Sequence, residues 1–140
     1  MRDNTTDDSE AEDEPGSEDE AVALAHRLFD AARQGDIEVL RSYLNAGAPA
    51  VLTNAAGDSL LMLAAYHGHA ETVQLLLHHG ADANAANDRG QTPLAGAAFK
   101  GYTDVARVLI DAGADPDAGT PSARAAAQMF ARNEILALLA

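Results

Sequence analysis

The sequence predicts an all-α solenoid, in which helix-turn-helix units stack side by side and are joined by short β-hairpin-like connections. Three observations predict it. Gly35, Gly68 and Gly101 recur every 33 residues. Gly47-Ala48, Gly80-Ala81 and Gly113-Ala114 keep the same interval, as do Gly57 and Gly90. The segments between them agree as well: Glu71-Thr72-Val73-Gln74-Leu75-Leu76-Leu77 lies over Asp104-Val105-Ala106-Arg107-Val108-Leu109-Ile110, and Ile37-Glu38-Val39-Leu40 stands one period earlier. Such a period is the signature of a repeat architecture. One unit cannot bury its own apolar stripe, whereas several stacked units can.

Residues 1–20 form no element on this reading. They hold ten acids against the single base Arg2, nine of the chain's thirteen net negative charges, and almost no apolar side chains. Mutual repulsion and the lack of burial leave the ordering entropy unrecovered, which predicts a disordered acidic leader. It is either a solubilising tether, or an acidic bait for a basic patch or a mimic of nucleic-acid phosphate in a partner's site. The repeat domain is expected over 21–140, with units at about 21–53, 54–86, 87–117 and 118–140.

The first unit opens without a Thr-Pro pair and has Asp36 and Arg41 on its outer helix, as a cap should. In the second, the Ser59 hydroxyl can cap the orphan amides of a helix beginning Leu60-Leu61-Met62. Thr92 does the same in the third. Pro93 follows at the first helical position, where a missing N–H costs nothing. Leu94, Ala97 and Ala98 give this helix a small-residue face, and Gly101 ends it in a left-handed conformation cheap for glycine alone. A second helix from about Thr103 to Ala112 sets Val105, Val108 and Leu109 on one stripe. Asp82, Asn84, Asp115 and Asp117 supply turn chemistry. In the last unit Thr120-Pro121 comes seven residues after Gly113, against twelve from Gly80 to Thr92, so the final hairpin is expected to be shortened. Leu136, Leu138 and Leu139 close the unit. Two full repeats are thus expected between two modified ones.

Over about residues 21–140 the chain resembles the ankyrin repeat family. Asp88-Arg89-Gly90-Gln91-Thr92-Pro93-Leu94 is similar to its repeat-opening motif, Ala64-Ala65-Tyr66-His67-Gly68-His69 to the middle, and Gly80-Ala81-Asp82-Ala83-Asn84 to the closing motif. Two places depart. Ser59-Leu60-Leu61-Met62 lacks the proline and the usual histidine, and Ala95 stands where that histidine would be, so the family's buried histidine network is expected to be reduced. The resemblance implies a protein-protein interaction module that binds its partner through the hairpin tips and the concave face of each first helix, as a scaffold or an inhibitor. The tip positions are then Thr53, Ala55, Ala56 and Asp58, followed by Ala86, Asp88, Arg89 and Gln91. The helix-face positions are Arg33 and Gln34, Tyr66 and His67, Phe99 and Lys100.

Tyr66 and Phe99 stand one period apart and outside the leucine stripe, so they are expected to lie side by side on adjacent helices about 8–10 Å apart. Aromatic anchors dominate binding hot spots, which makes the pair a candidate contact surface; the other reading is that the rings fold over a neighbouring helix as peripheral core.

Composition bounds the other classes. The chain has 140 residues, 47% apolar and 4% aromatic, nearly a quarter of them alanine, and no cysteine. Disulfides, thiolate metal sites and cysteine nucleophiles are excluded. No run approaches the ~18 apolar residues of a membrane span, and nothing after Met1-Arg2-Asp3-Asn4 resembles a secretory signal. Outside the leader the charge is only slightly negative, without the basic stripe that nucleic acid requires. A cytoplasmic monomer is expected, with another protein as partner and no cofactor. Gly80-Ala81-Asp82 and Gly113-Ala114-Asp115 lack the trailing Lys-Ser/Thr of a phosphate loop. A triad of Ser59, His67 and Asp58 can be drawn, but Ser59 is already accounted for as a cap. His67, His69, His78 and His79 suggest an alternative, a small regulatory or stress-associated protein holding a metal or small ligand. Adjacent histidines on a helix diverge by about 100°, which argues against chelation.

Overall fold

The computed structural model describes residues 18–140. The leader expected over 1–20 lies outside the described residues as far as Ser17. Its last three residues, Glu18–Glu20, instead form the first turn of a helix.

Hydroxyl caps start three of the helices. Ser59 Oγ accepts from Met62 N–H at 2.9 Å, Thr92 Oγ1 from Ala95 N–H at 3.1 Å and Ser122 Oγ from Ala125 N–H at 3.1 Å. They open α3 (Leu60–Tyr66), α5 (Pro93–Lys100) and α7 (Ala123–Met129). The row begins with the longer α1 (Glu18–Gln34). Each of these four inner helices ends in the same way: the amide one residue past the period-marking position returns to a carbonyl five residues back. Asp36 N–H reaches Ala31, His69 reaches Ala64, Tyr102 reaches Ala97 and Arg132 reaches Ala127, all within 2.8–3.0 Å. Gly101 takes the left-handed conformation that this closure needs, with φ of 81°.

The chain then turns back into an outer helix: α2 (Ile37–Asn45), α4 (Ala70–His78), α6 (Thr103–Asp111) and α8 (Asn133–Leu139). The helices form two layers, α1-α3-α5-α7 packed side by side and α2-α4-α6-α8 behind them. The two central inner helices have neighbours on three sides, so α3 is buried from Leu60 to Ala65 and α5 from Pro93 to Ala98. The frequent alanines let these helices approach closely, while Leu40, Leu76 and Leu109 fill the space between layers with no exposure. Each such leucine contributes about 1.5–3 kcal/mol on burial.

The connections are turns rather than strands. Among the described residues the single β-type pairing is an isolated antiparallel bridge between Thr53 and Ser59. Asn54 and Asn87, one period apart, tie the two central tips. Asn54 Oδ1 accepts from the amides of Ala56 and Asp58, and Asn87 Oδ1 from those of Arg89 and Gln91, all at 2.9–3.0 Å. Successive tips are joined by Asp88 N–H to the Ala56 carbonyl at 3.1 Å and Thr120 N–H to the Gly90 carbonyl at 3.0 Å. On the other side of the stack Asp82 and Asp115 make the expected turns, accepting from the amides of Asn84 and Asp117 at 2.9 Å.

The last pair corrects the expected register. Thr120-Pro121 does not open α7; Ser122 does. The interval from Thr92 to the next cap is therefore 30 rather than 33 residues, and the final connection loses three residues rather than five. Ala131 consequently occupies the place of Gly35, Gly68 and Gly101, and it has a φ of 53°.

Candidate functional site

The inner helices present one face away from the outer row. None of α3, α5 and α7 contains an acid: their sequences are LLMLAAY, PLAGAAFK and ARAAAQM. Across them runs a groove of about 340 Å³. The buried Ala95, Gly96 and Ala126 lie at its base. Gly96 keeps it low, since a Cβ there would come within 3.3 Å of both Met62 and Tyr66. Met62 and Tyr66 border one side, Phe99, Met129 and Phe130 the other, and Arg89, Gln91 and Pro121 the end beneath the hairpin tips.

Tyr66 and Phe99 both face the groove, but their rings turn to different partners. Tyr66 is half-buried, with the Lys100 ammonium 5.0 Å from its ring centroid. Phe99 turns instead to Phe130, edge to face at 5.0 Å and 89°. Phe99 and Phe130 remain 45% and 41% exposed and Met129 68%, so three large apolar side chains meet solvent together. The Arg132 guanidinium braces this end, donating to the carbonyls of Ala98 and Phe99 at 3.2 and 2.7 Å, with its carbon 5.7 Å from the Phe130 ring.

The ten residues read as contact positions divide by place. Tyr66, Arg89, Gln91 and Phe99 line the groove, and Lys100 covers Tyr66 at its rim. Asp58 lies in an adjoining recess and accepts from Asn87 Nδ2 at 2.8 Å. Arg33 borders a wider hollow of about 680 Å³ between α1 and the first tip, paired with Asp30 at 2.9 Å. Gln34, His67 and Asp88 lie outside all three. The His67 ring turns back on its own helix, Nδ1 donating to the Leu63 carbonyl at 2.8 Å. The Asp88 carboxylate packs over Gly57. Residue spacing did not single out Met129 and Phe130, and the asparagines at 54 and 87 carried a usable signal in their 33-residue separation.

The other constellations do not assemble. Ser59 and His67 cap opposite ends of the seven-residue α3, roughly 10 Å apart along its axis. His69 Nε2 donates to the Arg33 carbonyl at 2.8 Å, which places a proton on that nitrogen. Among the described residues no three His, Asp or Glu side chains converge as a metal set, and no helix is long and apolar enough to cross a membrane.

The family model described as ankyrin repeats (3 copies) matches residues 28–120, two thirds of the sequence. The chain belongs to the ankyrin repeat family. A Pseudomonas aeruginosa protein named for ankyrin repeats is 51% identical over 47 residues, which is 34% of this chain and 28% of that protein. The chain thus matches less than a third of that relative's length. Ankyrin repeats are in general protein-protein interaction modules, and the matched span carries α3 to α6 and the hairpin tips at Asn54 and Asn87. The match ends at Thr120, where the interval between ankyrin units changes from 33 to 30.

Proposed function

We propose that this chain binds a partner protein through the concave face of its inner helices, acting as a scaffold or as an inhibitor that covers the partner. The observation that carries the reading is the shared exposure of Phe99, Met129 and Phe130 around a groove with small residues at its base. Contiguous apolar surface is a liability in water, and its common reason is contact with another molecule. Aromatic side chains suit that use, since they bury large areas at little entropic cost.

The test is affinity capture from native extract with mass spectrometry, comparing wild type with Phe99→Ala/Phe130→Ala and with Arg107→Ala on the outer row. Partners recovered by wild type and by Arg107→Ala, but lost with the double variant, support the reading. Partners lost with Arg107→Ala instead would move the docking surface to α6.

A further inference from the structure

Charge is segregated over the units that bear the groove. Inner α1 carries Asp19, Glu20 and Asp30, but from α2 onward the helical carboxylates sit on the outer row, as Glu38, Glu71, Asp104 and Glu134. The outer-row cations Arg41 and Arg107 are paired with Glu38 and Asp104, and Arg124 with Asp117. Around the groove the pattern reverses. Among the described residues Arg89 and Lys100 have no carboxylate within ion-pair reach, and Asp58 beside them is already held by Asn87. A chain with a net charge of −13 has thus kept its apolar groove free of acids and placed two unneutralised cations on the rim.

The geometry points to an acidic, extended segment of a partner protein as the occupant, with a bulky apolar side chain seated between Tyr66 and Phe99 and its neighbouring carboxylates meeting Arg89 and Lys100. This rests on the concave-face reading and adds the chemistry of the partner. Opposite charges at a rim steer encounter and reject wrong partners, while the apolar anchor supplies most of the affinity. The chain's own residues 1–17 have the acids but almost no apolar side chains with which to fill the groove. A second copy docked face to face by a two-fold axis would set like charges against one another.

The experiment is selection of random linear peptides displayed on phage against the full chain. Expected is a consensus of one large apolar residue flanked by Asp or Glu. The best peptide should weaken at least tenfold when its acids become Lys, and at least tenfold on Arg89→Glu/Lys100→Glu. The Lys peptide should regain binding to that charge-reversed protein, and the wild-type complex should shift the methyl resonances of Met62 and Met129. Selected peptides that shift those methyls without preferring acids would overturn this proposal and leave the concave-face reading standing. Peptides that shift α4 and α6 instead would overturn both. Failure to enrich any peptide, a synthetic peptide of residues 1–17 binding as tightly as the selected ones, or a dimer of the chain dissolved by Phe130→Ser would each also overturn the proposal.

Discussion

The His69 ring fills the space that a side chain on Gly35 would need: Nδ1 lies 2.5 Å from where a Cβ would stand, while Nε2 donates to the Arg33 carbonyl at 2.8 Å. The relationship repeats along the stack. Tyr102 comes within 3.1 Å of where a Cβ on Gly68 would stand and Arg132 within 3.0 Å of one on Gly101, each from the start of the following unit's outer helix. The period-marking glycine therefore serves two needs, its own left-handed turn and the close seating of the following unit.

This grades the cost of alanine at these positions. Gly80→Ala meets nothing within 4 Å and should cost about 1 kcal/mol of backbone strain. Gly35→Ala meets an imidazole as well and should cost about 2–3 kcal/mol in urea denaturation. Gly101→Ala should fall between them, because the end of an arginine can move aside. Adding His69→Ala to Gly35→Ala should make the two changes less than additive; full additivity would remove the steric account.

Ala131 provides the converse. With φ at 53° in the place of three glycines, it bears the strain that they avoid. Ala131→Gly should stabilise the chain by about 0.5–1 kcal/mol, a few degrees in Tm. A fall in Tm would contradict the assignment.

The corrected register of the last unit makes a sharp contrast. Ser122→Ala should cost about 1 kcal/mol, since it removes the cap of α7. Thr120→Ala should be nearly neutral, because its hydroxyl opens no helix. Thermal unfolding of the two variants side by side decides which residue caps.

Asn87 is buried and makes four side-chain hydrogen bonds, accepting from Arg89 and Gln91 amides and donating to Asp58 and Gln91. Asn87→Ala should cost about 2–3 kcal/mol by leaving those partners unpaired. Chemical denaturation measures it.

Acid titration should affect one pair distinctly. The hydrogen bond from Arg124 holds the Asp117 carboxyl below its ordinary range. A depressed carboxylate contributes stability that is present above its unfolded value and lost as pH falls through the folded one. Asp117 is exposed and Arg124 half-buried, so solvent screens the pair and Tm should hardly respond to Arg124→Ala at neutral pH. NMR should show Asp117 titrating below its usual range in wild type and returning to it in that variant.

How much of this was legible in the sequence depends on whether a feature repeats. Caps at Ser59 and Thr92, glycine ends and the leucine stripe recur at 33, and each lies where the spacing puts it. The docking of one unit on the next recurs too, but its position reads Asp36, His69, Tyr102 and Arg132, four side chains with no common chemistry. Met129 and Phe130 were hidden by the change of interval: 33 residues beyond Phe99 is Arg132, whereas the structural equivalent is Met129 at 30. Tyr66 and Phe99 do share a face, as their spacing requires. Which way each ring turns was decided by Lys100 and Phe130, and spacing carries no information on that.

The docking face itself is tested most directly by site-specific photo-crosslinking in native extract, with a photoreactive residue placed at Phe99, at Met129 or at Arg107. The account predicts a covalent adduct to the same partner protein from Phe99 and Met129 and none from Arg107. Adducts from Arg107, with the groove positions silent, would contradict it.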